Sequence, residues 1–114
     1  MDPIDPIRQR DFTGAMLDIF RRTFNETGYR AALFFNMIND QGGVQAARTL
    51  ISAAHPSDGY TALQRLGRLD LTVEALVLRP EWHDIFADDV RMAAYNRLRQ
   101  YEFPFPADSW QLSK

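Results

Sequence analysis

The chain has 114 residues, 46% of them hydrophobic, and its 13 basic and 15 acidic side chains give a net charge of −2. This length suits one domain with its own core, and the lack of cysteine excludes disulfides, thiolate zinc sites and a cysteine nucleophile. Residues 1–57 carry six basic and six acidic side chains and residues 58–114 carry seven and nine, so neither half has the positive field that non-specific DNA binding requires.

The N-terminal sequence MDPIDPIRQRDF contains no recognisable targeting signal. It lacks the basic start and the apolar run of a secretory signal. Every uninterrupted apolar run in the chain is far shorter than the roughly 20 residues of a membrane helix. We therefore expect a soluble, cytoplasmic protein that has no membrane partner.

Three helices are predicted in the first half of the chain from the helical spacing of apolar residues. The first runs from about residue 11 to 26 and ends at Gly28, which suits a left-handed C-cap. The second, about residues 30–39, has so wide an apolar stripe that we expect a central helix packed on several sides. Its apolar residues are Ala31, Leu33, Phe34, Phe35, Met37 and Ile38. The third helix, about residues 44–54, ends before Pro56.

Two shorter helices are predicted after that proline. Ser57 or Asp58 is expected to cap the first of them, which closes at Gly67. Thr72 is expected to cap the second, about residues 73–78. The connection between them supplies apolar leucines, which we expect to enter the core.

The C-terminal third predicts a helical turn at about residues 81–86 and a last long helix that Asp88 caps. No segment alternates apolar and polar residues long enough to form a strand. The sequence therefore predicts an all-α fold, a compact single-domain bundle of about five to seven short helices over residues 1–101. Residues 102–114 form the predicted extended tail, because two prolines prevent a continuous helix there.

Aromatic residues in and next to this tail are the predicted partner-binding residues, namely Tyr101, Phe103, Phe105 and Trp110. A proline-spaced segment is already stiff, so it loses little entropy when it binds. Its binding site can belong to the same chain, to a second copy in a homodimer, or to another protein. Docking on the same chain is our first expectation.

Motifs for catalysis or cofactor binding are weak throughout the chain. An acidic group with one histidine lacks the spacing of a metal site; its members are Glu81, His83, Asp84, Asp88 and Asp89. The hydroxyl residues near His55 lack a nucleophile elbow, and Gly42-Gly43 lacks a phosphate-binding pattern. We therefore predict no enzyme activity, no catalytic residue, no metal and no cofactor.

Helix-turn-helix DNA binding is the alternative function. The predicted helices at residues 60–66 and 73–78 are closely joined, but the second reads TVEALVLR, where base recognition needs polar or basic side chains. The candidate nucleic-acid face consists of Arg48, Arg65, Arg68 and Arg79. One continuous exposed basic face would favour DNA, whereas pairing with Asp70, Glu74 or Glu81 would favour a protein-binding module.

Four strings occur in order along residues 10–101: GY-x4-F from Gly28, GG-x2-A-x3-L from Gly42, S-x-GY-x2-L from Ser57, and GRLDLTVEALVL from Gly67. Together they resemble a family of small, uncharacterised bacterial all-helical proteins. The resemblance implies one helical unit in a bacterial cytoplasm and no particular chemistry.

The predicted function is a small helical protein-interaction or regulatory module. The balanced charge, the lack of a catalytic constellation and the aromatic tail all favour it. Its predicted partner is another protein or a second copy of the chain, and nucleic acid is the less favoured partner. In this interpretation the GRLDLTVE string is structural, because each of its residues has a role in a turn, the core or a helix cap.

Overall fold

A computed structural model describes residues 5–100, and this part of the chain is entirely helical. Its α-helices are α1 (Pro6–Thr27), α2 (Ala32–Gln41), α3 (Gly43–Ser52), α4 (Asp58–Arg65), α5 (Val73–Val77) and α6 (Asp88–Arg99). Two 3-10 turns lie at Leu69–Leu71 and Pro80–Trp82. The predicted all-α class is confirmed, with six α-helices and no strand in this range. The predicted tail, residues 102–114, lies outside it.

No helix within residues 5–100 is both long enough and apolar enough to cross a membrane.

Helix α1 begins five residues before the predicted start, at Pro6 instead of residue 11. The Asp5 carboxylate accepts a hydrogen bond from the Ile7 N–H at 2.8 Å, and Pro6 occupies the first helical position, where a missing N–H costs nothing. The apolar period begins only at Phe12 and therefore does not indicate this earlier start, which the Asp5-Pro6 pair encodes. The predicted C-cap is confirmed, since Gly28 has φ of 79° and its N–H donates to the Phe24 carbonyl.

The core lies where α1, α3, α5 and α6 meet. Phe12 is fully buried, and its ring makes edge-to-face contacts with Trp82 at 5.3 Å and Phe86 at 4.9 Å between ring centroids. The other most deeply buried apolar residues are Met16, Ala46, Ala47, Ile51, Leu71, Leu76, Val77, Ala94 and Leu98. The helical period places Met16, Ala47 and Ile51 of this group on inward faces, but it does not place Ala46 there.

The predicted central position of α2 is wrong, because α3 is the helix that contacts α1, α2, α5 and α6. In α2 only Ile38 is fully buried, while Leu33 is 72% exposed and Phe35 is 38% exposed. Small residues on α3 let its neighbours approach closely from several directions. The wide apolar stripe of α2 therefore faces the surface as well as the core.

Helices α1 and α3 touch at Gly43, the first residue of α3. The Gly43 N–H donates a hydrogen bond to the Thr13 hydroxyl at 3.0 Å. A Cβ atom at this position would lie 2.6 Å from the Thr13 Cα, which belongs to the backbone of α1 and cannot rotate away.

We expect Gly43→Ala to destabilise the fold by about 1–3 kcal/mol, the usual cost of overpacking a tight contact. Gly14→Ala is the matched control, because a Cβ there meets nothing within 4 Å and Gly14 lies inside α1. That control should stabilise the protein by about 0.5–1 kcal/mol through helix propensity. Urea denaturation of both variants measures the difference. Equal stabilities would contradict the close contact of α1 and α3.

The predicted caps of the two short helices are confirmed. The Ser57 hydroxyl accepts from the Tyr60 N–H at 3.1 Å, and the Thr72 hydroxyl accepts from the Ala75 N–H at 3.1 Å. The cap predicted for α6 is wrong: Asp88 is the first helical residue and Ala87 holds the cap position. Asp88 and Asp89 still favour this helix start, because acidic side chains in the first turn oppose the helix dipole.

Candidate functional site

An apolar cleft opens between α2, α4 and the segment that leads into α5. Its volume is about 320 Å³. Its larger side chains are Ile19, Tyr29, Leu33, Phe34, Met37, Leu50, Tyr60, Leu63 and Leu71, with Ser57, Asp58 and Arg30 among the polar lining. We refer to this feature as the α2–α4 cleft. It combines a mostly apolar wall with a few polar groups, which is the usual composition of a binding site.

Segments far apart in the sequence converge on this cleft. Tyr29 comes from the GY-x4-F string, Tyr60 from the S-x-GY-x2-L string, and Leu71 and Glu74 from the GRLDLTVE string. The predictions from the sequence assign a structural role to GRLDLTVE alone and do not place the strings together. No signal in one string points to another, so the convergence becomes visible only in the folded chain.

A buried ion pair supports the wall of the α2–α4 cleft. Glu74 is 1% exposed, and its Oε2 accepts a hydrogen bond from the Arg97 Nη1 at 2.9 Å. Burial raises the pKa of the Glu74 carboxyl, and the hydrogen bond from Arg97 opposes that rise. This pair is not among those predicted from the sequence, because its members are 23 residues apart on different helices and no local pattern joins them.

The last turn of α6 is bonded directly to the residues that line the cleft. The Arg97 guanidinium also donates to the carbonyl of Leu50 at 3.0 Å and to that of Ala53. The Tyr60 hydroxyl donates to the Arg97 carbonyl at 3.0 Å. Because Leu50, Tyr60 and Glu74 all line the cleft, Arg97 joins the end of α6 to three parts of its wall.

A second apolar surface lies beside the first, on α1 and α2. Its main residues are Leu17, Phe20, Phe24 and Phe35, and we call it the α1–α2 patch. Phe24 is 50% exposed, and the Phe20 and Phe35 rings lie 4.9 Å apart. Arg30 borders both the patch and the α2–α4 cleft and forms no ion pair with any of residues 5–100.

The four arginines of the predicted nucleic-acid face lie on different elements. Arg48 is on α3, Arg65 ends α4, and Arg68 and Arg79 lie in connections. Arg68 is paired with Asp70 at 3.0 Å and with Glu26 at 2.6 Å, measured between nitrogen and oxygen atoms.

Glu26, one of the two acidic partners of Arg68, also binds Arg22, with 2.8 Å between the nitrogen and oxygen atoms. Hydrogen bonds from Arg22 and Arg68 hold the pKa of Glu26 at about 2, against an ordinary value of 4.5. Glu74, another predicted partner of the basic face, binds Arg97 instead. The fold thus commits Arg68 to carboxylates of the same chain.

The helix that would read bases in the alternative function is α5. It has five residues, and Val73, Glu74, Leu76 and Val77 are buried. A recognition helix has to present an exposed face to the major groove. Helix α5 in this chain packs that surface against its own core.

The predicted acidic cluster is divided among structural contacts. Asp84 binds Arg8 at 2.9 Å, and the His83 ring Nδ1 lies 2.8 Å from the Pro80 carbonyl oxygen. Arg8 also stacks on the Trp82 ring, 4.9 Å from its centroid. Between residues 5 and 100, no three histidine or acidic side chains come close enough together to hold a metal ion.

The predicted partner-binding residues Tyr101, Phe103, Phe105 and Trp110 lie outside residues 5–100, so they stay a prediction. The fold and the cleft define a small all-helical domain with an apolar surface cavity. No family model matches the sequence, and no curated protein or solved structure is similar enough to count as a match. The resemblance to a family of small bacterial helical proteins accordingly stays a prediction as well.

Proposed function

We propose that the protein is a helical protein-interaction module that receives the apolar side chains of an extended peptide segment in the α2–α4 cleft. The observation that carries this proposal is an apolar cavity of about 320 Å³ at the surface of a small fold. Cavities that bind small molecules and side chains start at about this size. Leu33 lines the cleft with 72% of its surface exposed, so its apolar side chain is accessible to a bound peptide.

The neighbouring α1–α2 patch supports a protein as the partner. Together with the cleft it places apolar side chains on both sides of the start of α2, bordered by Arg21, Asn25 and Arg30. Apolar surface rimmed by polar residues is typical of protein-interaction sites. The burial of α5 and the pairing of Arg68 favour this function over the helix-turn-helix alternative. The cytoplasmic location and the bacterial origin belong to the same proposal.

Leu33→Asp is the variant that tests the cleft. A carboxylate at an exposed position in the first turn of α2 leaves the fold stable, because it opposes the helix dipole. Asn36→Asp is the matched control, since it adds the same carboxylate to an exposed position of α2 that lines neither the cleft nor the patch. The free energy of unfolding of both variants should lie within about 0.5 kcal/mol of that of the parent.

The experiment selects peptides from a random display library against the parent chain and measures their affinity by fluorescence anisotropy. We expect enrichment of peptides with closely spaced aromatic or large aliphatic residues. Leu33→Asp should weaken their binding about tenfold or more, equivalent to about 1.4 kcal/mol, whereas Asn36→Asp should not. Peptides that bind equally to the parent and to Leu33→Asp would place the interaction elsewhere. Binding of duplex DNA that neither variant alters would favour the DNA-binding alternative.

A further inference from the structure

The described part of the chain ends shortly after Arg97, a residue that is hydrogen-bonded to the lining of the α2–α4 cleft. Helix α6 ends at Arg99, one residue before the last described position, Gln100. Two residues before Arg99, the Arg97 carbonyl accepts from the Tyr60 hydroxyl at 3.0 Å, and the Arg97 guanidinium binds Glu74 at 2.9 Å. Tyr60 and Glu74 both line the cleft. Residues 101–114 therefore follow a helix end that is hydrogen-bonded to the lining of this cavity.

The length of the remaining segment is sufficient to reach the cleft. An extended chain advances about 3.3–3.6 Å per residue, so Phe103 lies within about 11 Å of Gln100 and Phe105 within about 18 Å. The described part measures 38 × 31 × 25 Å, so a reach of about 18 Å covers about half of its longest dimension. Each phenylalanine precedes a proline, which restricts its backbone to extended angles.

The volume of the cleft matches the side chains available. A protein cavity of about 150 Å³ accepts one benzene molecule, so 320 Å³ provides room for about two phenyl rings. The sequence Phe103-Pro104-Phe105 supplies two rings at the first reachable positions. The α1–α2 patch is a poorer candidate, because the hydrogen bonds of Arg97 lead to Leu50, Tyr60 and Glu74 of the cleft lining and to none of the residues of the patch.

From these observations we infer that the C-terminal segment, residues 101–114, occupies the α2–α4 cleft of its own chain, with Phe103 and Phe105 in the cavity. The inference rests on the proposed function and names the resident occupant of the same cleft. A segment attached by a short linker has an effective concentration in the millimolar range. A foreign peptide must displace it, so the tail regulates access to the cleft.

The test uses the full-length chain and a fluorescent peptide with the sequence of residues 101–114. The parent chain is compared with the double variant Phe103→Ser/Phe105→Ser, whose tail is present but lacks both rings. We expect the peptide to bind the double variant at least tenfold more tightly than the parent, because the tail of the parent competes with it. Adding Leu33→Asp to the double variant should abolish binding, and adding Asn36→Asp should leave it unchanged.

Two results would overturn the inference. Equal affinity of the peptide for the parent and for the double variant would show that the tail does not occupy the cleft. A parent dimer that sedimentation velocity finds converted to monomers by Phe103→Ser/Phe105→Ser would assign the tail to the cleft of a second copy. Neither result affects the proposed function as long as library peptides still bind in a manner sensitive to Leu33→Asp. Loss of that sensitivity would instead contradict the proposed function.

Discussion

Replacing Arg97 with methionine is expected to lower the free energy of unfolding by about 3–5 kcal/mol at neutral pH, the usual cost of leaving a buried charge without its partner. Glu74 is 1% exposed, and Arg97 provides its charged hydrogen-bond partner at 2.9 Å. Methionine keeps much of the length and apolar surface of the arginine side chain, so the charge is the main change. The carbonyl oxygens of Leu50 and Ala53 also lose a donor.

The loss in free energy of unfolding caused by Arg97→Met should become smaller as the pH falls toward 4.5, the ordinary pKa of the Glu74 carboxyl. Burial raises this pKa in the folded chain, so folded Glu74 binds a proton more tightly than unfolded Glu74 does. The stabilisation from that proton is complete below 4.5 and is lost as the pH rises through the folded pKa. Without Arg97 the pKa of Glu74 in the folded chain rises further, so the destabilisation by Arg97→Met is largest at neutral pH.

Urea denaturation of the parent and the variant at several pH values measures this difference. Arg99→Ala is the control, because Arg99 is exposed and its guanidinium lies over the Tyr95 ring, 5.8 Å from the ring centroid. The effect of this substitution should stay within about 0.5 kcal/mol. The double variant Glu74→Leu/Arg97→Met should recover most of the loss, since an apolar pair can replace a buried ion pair. If the difference in free energy of unfolding between the parent and Arg97→Met does not change with pH, the unpaired charge of Glu74 is not the cause of the destabilisation.

Leu71→Ala should destabilise the protein by about 2–5 kcal/mol. Leu71 is 1% exposed and is among the largest fully buried side chains, so truncation removes apolar contacts and leaves a cavity. Leu33→Ala is the matched control: the same chemical change at a 72% exposed position should cost no more than about 0.5 kcal/mol. Thermal and urea denaturation of both variants measure the contrast.

A smaller loss of stability is expected for a substitution at the next residue, Thr72. Thr72→Ala removes the hydroxyl that accepts from the Ala75 N–H at 3.1 Å and donates to the Leu69 carbonyl at 2.7 Å. Loss of an N-cap of this kind costs about 1 kcal/mol. If Leu71→Ala and Thr72→Ala both melted like the parent, the structural interpretation of the GRLDLT segment would be wrong.

In the proposed function, stability and binding share residues, and this overlap determines how the proposal can be tested. Leu71, Thr72 and Glu74 support the fold and also line the α2–α4 cleft. Substitutions there change both properties, so lost binding would not identify the cleft as the site. Leu33 lines the same cleft from an exposed position, and this separation makes it the informative residue for function.

The sequence alone determined the features that depend on neighbouring residues. Ser57 and Thr72 cap their helices as predicted, because a cap needs only a side-chain oxygen within three residues of its donor. Gly28 ends α1 because a left-handed residue suits glycine. The inward positions of α1 follow from the 3.6-residue period. The start of α1 was also encoded locally, in Asp5-Pro6, and was predicted wrongly only because the apolar period was given priority over that signal.

Tertiary structure decided which apolar residues are covered. The period shows that α2 carries a wide apolar stripe, but it does not show whether another helix lies against Leu33 or Phe35. Helix α3 takes the centre because Gly43 lets the backbone of α1 approach and Ala46 and Ala47 add little bulk. That arrangement depends on two surfaces fitting together, which a single helical period cannot express.

The candidate site consists entirely of features that tertiary structure decided. The partner of Glu74 is Arg97, 23 residues away, and the lining of the cleft extends from Ile19 to Glu74 along the chain. Sequence patterns indicate the chemistry of each of these side chains but not the empty volume between them. That volume lies between elements that pack on different supports: α2 and α5 contact α3, whereas α4 contacts the Leu69–Leu71 turn. Only the folded chain fixes those positions.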